Sequence, residues 1–347
     1  GVSTLTSIGN NSFHSCTGLT SIIIPDTVTT IDNSAFYQCT GLITVLFDGV
    51  STLTSIGNNS FHSCTGITSI IIPDTVTTID TSAFQSCTGL TSIIIPDTVT
   101  SIGSSAFHSC TGLKSLSITT INTSLTIGNV AFQSCSDLTS VSIPYYISNY
   151  LSSSHWFLYC GQIKTVTFVT AGSDSTKTIL NWWLGTGFYD SRLTINNIVM
   201  GTNFTSIGNS AFLNNVYLTS VTIPNTVTSI GNYAFYLCEG LKTVLFDDVS
   251  TLTSIGSNSF HSCSGLTSVS IPDTVTTIGS NAFQSCTGLI TVLFDGNSVL
   301  TSIENYVFNG CTGLTSVSIP NTVTSIGTYS FQSCTGLITV LFDGNSV

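Results

Sequence analysis

The chain has 347 residues, only 6% of them charged, and its 5 Lys and Arg against 16 Asp and Glu give a formal net charge of −11. A phosphate backbone is gripped by clustered cations, so nucleic acid is excluded as a partner class. Hydrophobic residues make up 41% and recur with a regular period, which excludes disorder; no apolar run approaches the roughly 20 residues of a membrane-spanning helix, so no membrane insertion is expected.

Residues 1–18 (GVSTLTSIGNNSFHSCTG) read as the second half of a coil, and Gly1 opens in mid-motif with neither a basic nor an apolar leader. From Leu19 to Gly336 thirteen full coils follow, of 23, 25, 23, 23, 25, 25, 30, 25, 23, 25, 23, 25 and 23 residues, and residues 337–347 begin one more. A period this regular overrides any division by length, so residues 1–347 are expected to form one continuous repeat array.

Residues 266–288 (LTSVSIPDTVTTIGSNAFQSCTG) serve as the template. Leu266, Val269 and Ile271 turn alternate side chains of an extended segment to one face, which predicts a short strand with an apolar back. Pro272 ends the pairing. Val275 and Ile278 add an apolar pair, Gly279 allows a sharp turn, and Ala282, Phe283 and Cys286 fall at the spacing of a single helical turn. One coil cannot bury its own apolar face, so the coils must stack. Two types recur: the shorter carries I-P-[DN]-T-V-T-[ST]-I, while the longer replaces it with V-L-F-D-[GD] and two extra loop residues, as at Val45–Gly49, and from Leu218 onward they alternate. The motif decays between about residues 144 and 217, where His155, Trp156, Phe157, Trp182, Trp183, Phe188 and Tyr189 cluster around a 30-residue coil. Irregular insertions in solenoids are frequent binding sites, which makes His155, Trp156, Trp182, Trp183, Phe188 and Tyr189 candidates; the alternative is a degenerate coil whose aromatics plug a packing defect.

The twelve cysteines occupy one motif position, one per coil, with no C-x-x-C pair, and Asn215 stands in the column without a thiol. They read as buried free thiols in a core column; parallel Cβ vectors suit disulfides poorly, and no metal site is expected. His14, His62, His108 and His261 share a turn position filled elsewhere by Gln or Tyr, which predicts an exposed turn. Asp26, Asp74, Asp97 and Asp273 follow the Pro and Asp48, Asp247, Asp295 and Asp343 sit in the longer turns, all in turn-forming roles. Repetition argues against catalysis, which needs a singular constellation, so no catalytic residue and no cofactor is assigned. N-x-[ST] at Asn10, Asn58, Asn122 and Asn203 marks candidate glycosylation acceptors. On the outward face of the strands one column is Ser or Thr from Ser21 to Thr339. Beside it Ile23, Leu46, Ile71 and Ile94 form an aliphatic stripe that marks an interaction surface.

The repeated L-T-S-[IV]-x-I-P-[DN]-T-V-T-[ST]-I-G-x-x-A-F-x-x-C-T-G resembles the BspA-like leucine-rich repeat family, the Treponema pallidum type. The resemblance covers essentially the whole chain. It implies an α/β repeat solenoid: a curved leucine-rich-repeat array with a parallel β-sheet on the concave side and short strands, turns and single helical turns elsewhere. It also implies an extracellular, cell-surface or virion-surface setting and a role in adhesion, with no shared catalytic residues. The function expected is therefore that of a non-enzymatic structural or adhesive repeat protein binding a protein or glycan ligand. Self-association, end to end as a filament or laterally, is one alternative, and ice or surface binding through the Ser/Thr ladder is another.

Overall fold

The computed structural model describes residues 3–119, 124–144, 156–169, 177–179, 194–201, 203–247 and 249–343. It divides into two compact units, Gly1–Ala171 with Thr186–Thr194, and Gly172–Gly185 with Ile195–Val347.

In the first unit the L-x-x-L-x-L segments form short parallel strands. Ser21–Ile24 pairs with Thr44–Phe47. Ser92–Ile95, Ser115–Ile118, Ser140–Pro144 and Thr165–Val169 follow one another in a further parallel run. The register advances one coil at a time, so Ser92 faces Ser115 and Ile93 faces Leu116. A second ribbon is built from the two-residue strands Ser7–Ile8, Thr30–Ile31, Ser55–Ile56, Thr78–Ile79, Ser101–Ile102 and Thr126–Ile127, in that order. The second unit repeats the scheme with Asn197–Met200, Ser220–Ile223, Thr243–Phe246, Ser268–Ile271, Thr291–Phe294, Ser316–Ile319 and Thr339–Phe342. Alternation of buried and exposed residues along Ser92–Ile95 and Ser220–Ile223 is the period-2 pattern that the sequence predicts. Pro272 lies directly after its strand, as expected.

The interior is organised in columns. Phe13, Phe36, Phe61, Phe84, Phe107, Phe132 and Phe157 stack nearly parallel at centroid spacings of 5.1 to 5.6 Å. Phe212, Phe235, Phe260, Phe283, Phe308 and Phe331 do the same in the second unit. The spacing is close to the strand repeat of about 4.8 Å, so offset stacking follows from the coil advance itself.

The expected helical turn is not formed: among the described residues there is no helix, and the fold is a parallel β-solenoid rather than α/β. The A-F-x-x-C segment is a double turn with left-handed residues four apart, such as Ser34 and Gln38 at φ of 56° and 58°. Its N–H groups alternate in destination. Those of Ser34, Phe36 and Gln38 donate to Asn58, Ser60 and His62 of the next coil, while those of Ala35, Tyr37 and Cys39 donate three residues back. A right-handed helix cannot survive a positive φ every fourth residue, and the intercoil bonds replace what it would have supplied. Gly279 also has a different role from the one expected. Its φ is not in the left-handed region; instead a Cβ there would lie 2.5 Å from the Ser257 nitrogen of the preceding coil, so glycine permits close stacking.

The abundance of hydroxyl and amide side chains has a structural use. Thr29, Thr54, Thr77 and Thr100 each donate a hydroxyl to a threonine carbonyl one coil back, at 3.1 to 3.2 Å. Asn10, Asn33 and Asn58 each accept the N–H of the following coil at 3.0 to 3.1 Å. Few charges are needed when neutral groups complete the backbone pairing.

Candidate functional site

The strands that follow the I-P form, such as Ser92–Ile95, present their second and fourth residues inward and their first and third outward, while in Thr44–Phe47 the second is buried and the third exposed. In the first unit this places Ile23, Leu46, Ile71 and Ile94 on the surface, exposed by 63, 52, 82 and 62% respectively. Ile24, Val45, Ile70 and Ile93 are buried. The stripe is flanked by the hydroxyl column Ser21, Thr44, Ser69 and Ser92, and beyond the strand ends come Asp26, Asp48, Asp74 and Asp97. Through residue 113 there is no Lys or Arg. In the second unit the same outward column alternates: Leu245 and Leu293 are exposed, with Ser270 between them.

The face is not flat. Between Thr44–Phe47 and residues 69–72 lies a cleft of about 550 Å³, lined by Leu46, Phe47, Val50, Ile71, Pro73 and Asp74 among others. A cleft of about 490 Å³ recurs between Thr243–Phe246 and Ser268–Ile271, lined by the matching Leu245, Phe246, Val249, Ser270, Pro272 and Asp273. Both lie where a longer coil precedes a shorter one, and the backbone explains why. When a shorter coil comes first, the Asp after the longer strand donates its N–H back: Asp48 to Ile24 at 2.9 Å, Asp247 to Ile223 at 3.2 Å. All four residues then pair, as in Ser220–Ile223 with Thr243–Phe246. In the opposite order that position is Pro73 or Pro272, which has no N–H to give. Pairing of the second unit's strands shrinks to Thr243 with Ser268, and residues 69–72 retain only the bridge from Ser69 to Ser92. Phe47 and Phe246, half-buried where Ile24 and Ile72 are buried, complete the cleft wall. A smaller cleft of about 270 Å³ adjoins the first on the far side of Ile71 and reaches Ile94, Pro96 and Asp97. The aliphatic stripe was legible in the sequence; the clefts were missed, although the Pro after each shorter strand was their signal.

Trp156 is a core residue, not a surface one: it is 4% exposed and takes the place that Ala106 and Ala131 hold in neighbouring coils. Its indole N–H has no partner among the described residues. His155, Trp182, Trp183, Phe188, Tyr189 and Asn122 lie outside the described residues. Asn10 and Asn203 are exposed. Asn58 is half-buried and committed, its Nδ2 donating to Asn33 Oδ1 at 3.1 Å while its Oδ1 accepts the Thr81 N–H.

All twelve cysteines are free, and the thiols act as donors as well as small apolar groups. Cys39, Cys64, Cys87 and Cys110 donate to the carbonyls of Phe13, Phe36, Phe61 and Phe84 at 3.0 to 3.1 Å. Burial pushes the Cys64, Cys110, Cys238 and Cys286 thiols up to about 12, so they are inert as nucleophiles or ligands near neutrality. The histidine position is less open than the sequence suggests: His14 is exposed, but His62, His108 and His261 are half-buried. Tyr37 stacks between His14 and His62 at 4.8 Å on each side, and Tyr236 covers His261 at 4.8 Å. Burial lowers the pKa of His62, His108 and His261. Among the described residues no three His, Cys, Asp or Glu side chains come together as a metal site, and no helix is long and apolar enough to cross a membrane.

The coils, columns and intercoil ladders define a leucine-rich-repeat solenoid. The chain belongs to the BspA-type leucine-rich repeat family, whose model, described as the BspA type leucine rich repeat region, matches residues 2–114, 54–179, 184–299 and 246–346. No curated protein is similar enough to count as a relative. Among solved structures, the chain is similar to a leucine-rich repeat protein from Bacteroides ovatus, with 25% identity, coverage of 97% of this chain and 82% of that one, and a TM-score of 0.46. It is also similar to a leucine rich cell surface protein from Faecalibacterium prausnitzii, with 24% identity, 98% and 84% coverage and a TM-score of 0.27. The Treponema pallidum leucine rich repeat protein shares 19% identity over 72% of this chain and 78% of that one, with a TM-score of 0.26.

Proposed function

We propose that this chain is a non-enzymatic, surface-displayed adhesive repeat protein that binds a protein partner through the outward face of its first unit. The observation that carries the reading is the column Ile23, Leu46, Ile71 and Ile94. Four large aliphatic side chains stand exposed on successive coils, at a position the fold fills equally well with Ser117, Ser142 or Ser270. Contiguous apolar surface of this kind is retained where a partner covers it. An extracellular, cell-surface or virion-surface setting is part of the proposal, and family membership supports it.

Immobilised whole chain, tested against purified matrix and cell-surface proteins and against a glycan array, examines this reading. A protein ligand found with the native chain is expected to be lost by the quadruple variant Ile23→Ser, Leu46→Ser, Ile71→Ser, Ile94→Ser. Undiminished binding by that variant, or binding confined to glycans, would overturn it.

A further inference from the structure

Resting on the protein-binding reading, we infer that the occupant of the face is an extended, basic segment of a partner protein. Its aliphatic or aromatic side chain enters the cleft between Thr44–Phe47 and residues 69–72, and its Lys or Arg meets Asp74.

The cleft fits one large apolar side chain with its flanking backbone. At about 550 Å³ it lies within the range of sites that seat ligands, and Leu46, Val50, Ile71 and Pro73 give it aliphatic walls. Its polar groups are few: hydroxyls such as Thr44 and Ser69, and the Asp74 carboxylate. Sugar recognition calls for a denser array of donors and acceptors, so a polypeptide suits this lining better. The adjoining cleft shares Ser69, Ile70, Ile71 and Asp74 with the first. Ile71 is therefore a ridge between two clefts, and successive side chains of one extended segment can occupy both.

Charge decides the sign of the partner. The carboxylates of Asp26, Asp48, Asp74 and Asp97 line the strand ends on four consecutive coils, and residues 1–113 carry no Lys or Arg to offset them. A second copy of this chain, at a net charge of −11, would bring like charge against this edge. A segment carrying Lys or Arg gains attraction and faster encounter instead. The second unit's cleft is the same device with a more acidic, less apolar lining: Asp247, Asp273 and Asp295 take part, and Ser270 replaces the ridge isoleucine.

The array supplies substitutions that separate these contributions without threatening the fold. Serine stands at the ridge position as Ser270 and Ser318, and asparagine stands at the Asp74 position as Asn225 and Asn321. Panning a phage-displayed random peptide library on the whole chain is expected to enrich peptides that combine aliphatic or aromatic residues with Lys or Arg. A synthetic peptide of the enriched sequence should bind the Ile71→Ser variant at least tenfold more weakly and the Asp74→Asn variant several-fold more weakly. Affinity should also fall as salt rises from 50 to 500 mM, and Leu293→Ser should have no effect. Enriched peptides without basic residues, or full affinity in Asp74→Asn, would overturn this inference while leaving the protein-binding reading in place. Full affinity in Ile71→Ser would overturn both. A concentration-dependent dimer that Ile71→Ser abolishes would make a second copy the occupant and overturn the basic-segment assignment.

Discussion

Asn215 offers the sharpest test of how the columns hold the array together. It stands where other coils carry a buried cysteine, is 0% exposed, and neither its Nδ2 nor its Oδ1 has a hydrogen-bond partner among the described residues. Its backbone is regular, with the Asn215 N–H donating to Phe212 at 3.2 Å as the Cys39 N–H does to Phe36 at 3.1 Å. The anomaly therefore resides in the side chain. A buried donor or acceptor left unsatisfied costs about 1–3 kcal/mol, and the amide brings both kinds, on Nδ2 and Oδ1. Cysteine is nearly the same size, so Asn215→Cys removes the desolvated amide and leaves little cavity. The expected gain is about 2 kcal/mol, the cost of a single orphaned group. In a unit of this size that raises the melting midpoint by roughly 4–8 °C. Urea titration followed by near-ultraviolet circular dichroism is the assay, with the midpoint rising and the m-value unchanged. Asn215→Ala is the companion variant, expected near neutral because relief of the amide is offset by a small void. A lower midpoint for Asn215→Cys would refute the reasoning, since it would mean that the amide is satisfied and stabilising.

Three further outcomes follow from the same geometry. In thiol labelling of the native chain, Cys16, which is exposed, should react first and the half-buried Cys334 slowly, while the buried remainder react only after denaturation; rapid native labelling of Cys64 or Cys286 would contradict the core column. Val130 is a β-branched residue at φ 52°, where the three preceding coils place Asn59, Ser82 and Ser105, so Val130→Asn should raise stability by about 1 kcal/mol in the same urea assay, and a loss would show that its side-chain packing outweighs the backbone strain. His62, His108 and His261 have pKa values lowered by burial, so the folded state binds fewer protons there than the unfolded state. Their contribution is intact above the unfolded value of about 6.5 and is lost as pH falls through the lowered folded values. Urea midpoints should fall between pH 7.5 and 5, less steeply in a His62→Gln, His108→Gln, His261→Gln variant. Asp80, raised by burial, has the opposite sign: its contribution is fully present below about 3.8 and declines as pH rises through its folded value. A midpoint unchanged down to pH 5 would refute the histidine assignment.

Much of the fold was legible because each column has one dominant residue type. The outward Ser and Thr, the buried Leu and Ile, and the cysteines once per coil follow a period of 23 or 25 residues, and stacking turns that period into vertical contact. The helical turn was misread because Ala282, Phe283 and Cys286 fit two local geometries equally well. What separates them is the left-handed backbone at Asn281 and Ser285, and the residues there in other coils include Gln38, Leu237 and Tyr306. None of these announces a positive φ as glycine would. Trp156 follows the packing alternative, and the sequence carries its signal: Trp156, Phe157 and Cys160 fall on the Ala-Phe-x-x-Cys pattern, which seats the indole in the core. The clefts lay beyond reach of column reading because they come from an order of coils, not from a residue.

That order links fold to proposed function. A longer coil can receive the full set of backbone bonds from the shorter coil before it, but the proline of the shorter coil after it cannot return the last of them. Pairing therefore shortens at such junctions, to Thr243 with Ser268 at one and to Thr291 with Ser316 and Val292 with Val317 at another, and the clefts lie at Thr44–Phe47 and at Thr243–Phe246. What each opening can hold is then set by the third strand residue of the following coil, Ile71 in one case and Ser270 in the other. Backbone chemistry makes the clefts, and one outward column tunes them. A chain assembled from near-identical coils can in this way carry distinct sites without disturbing the columns that hold it together, because Ile and Ser at that position leave the buried Ile70 and Ile72, or Val269 and Ile271, untouched.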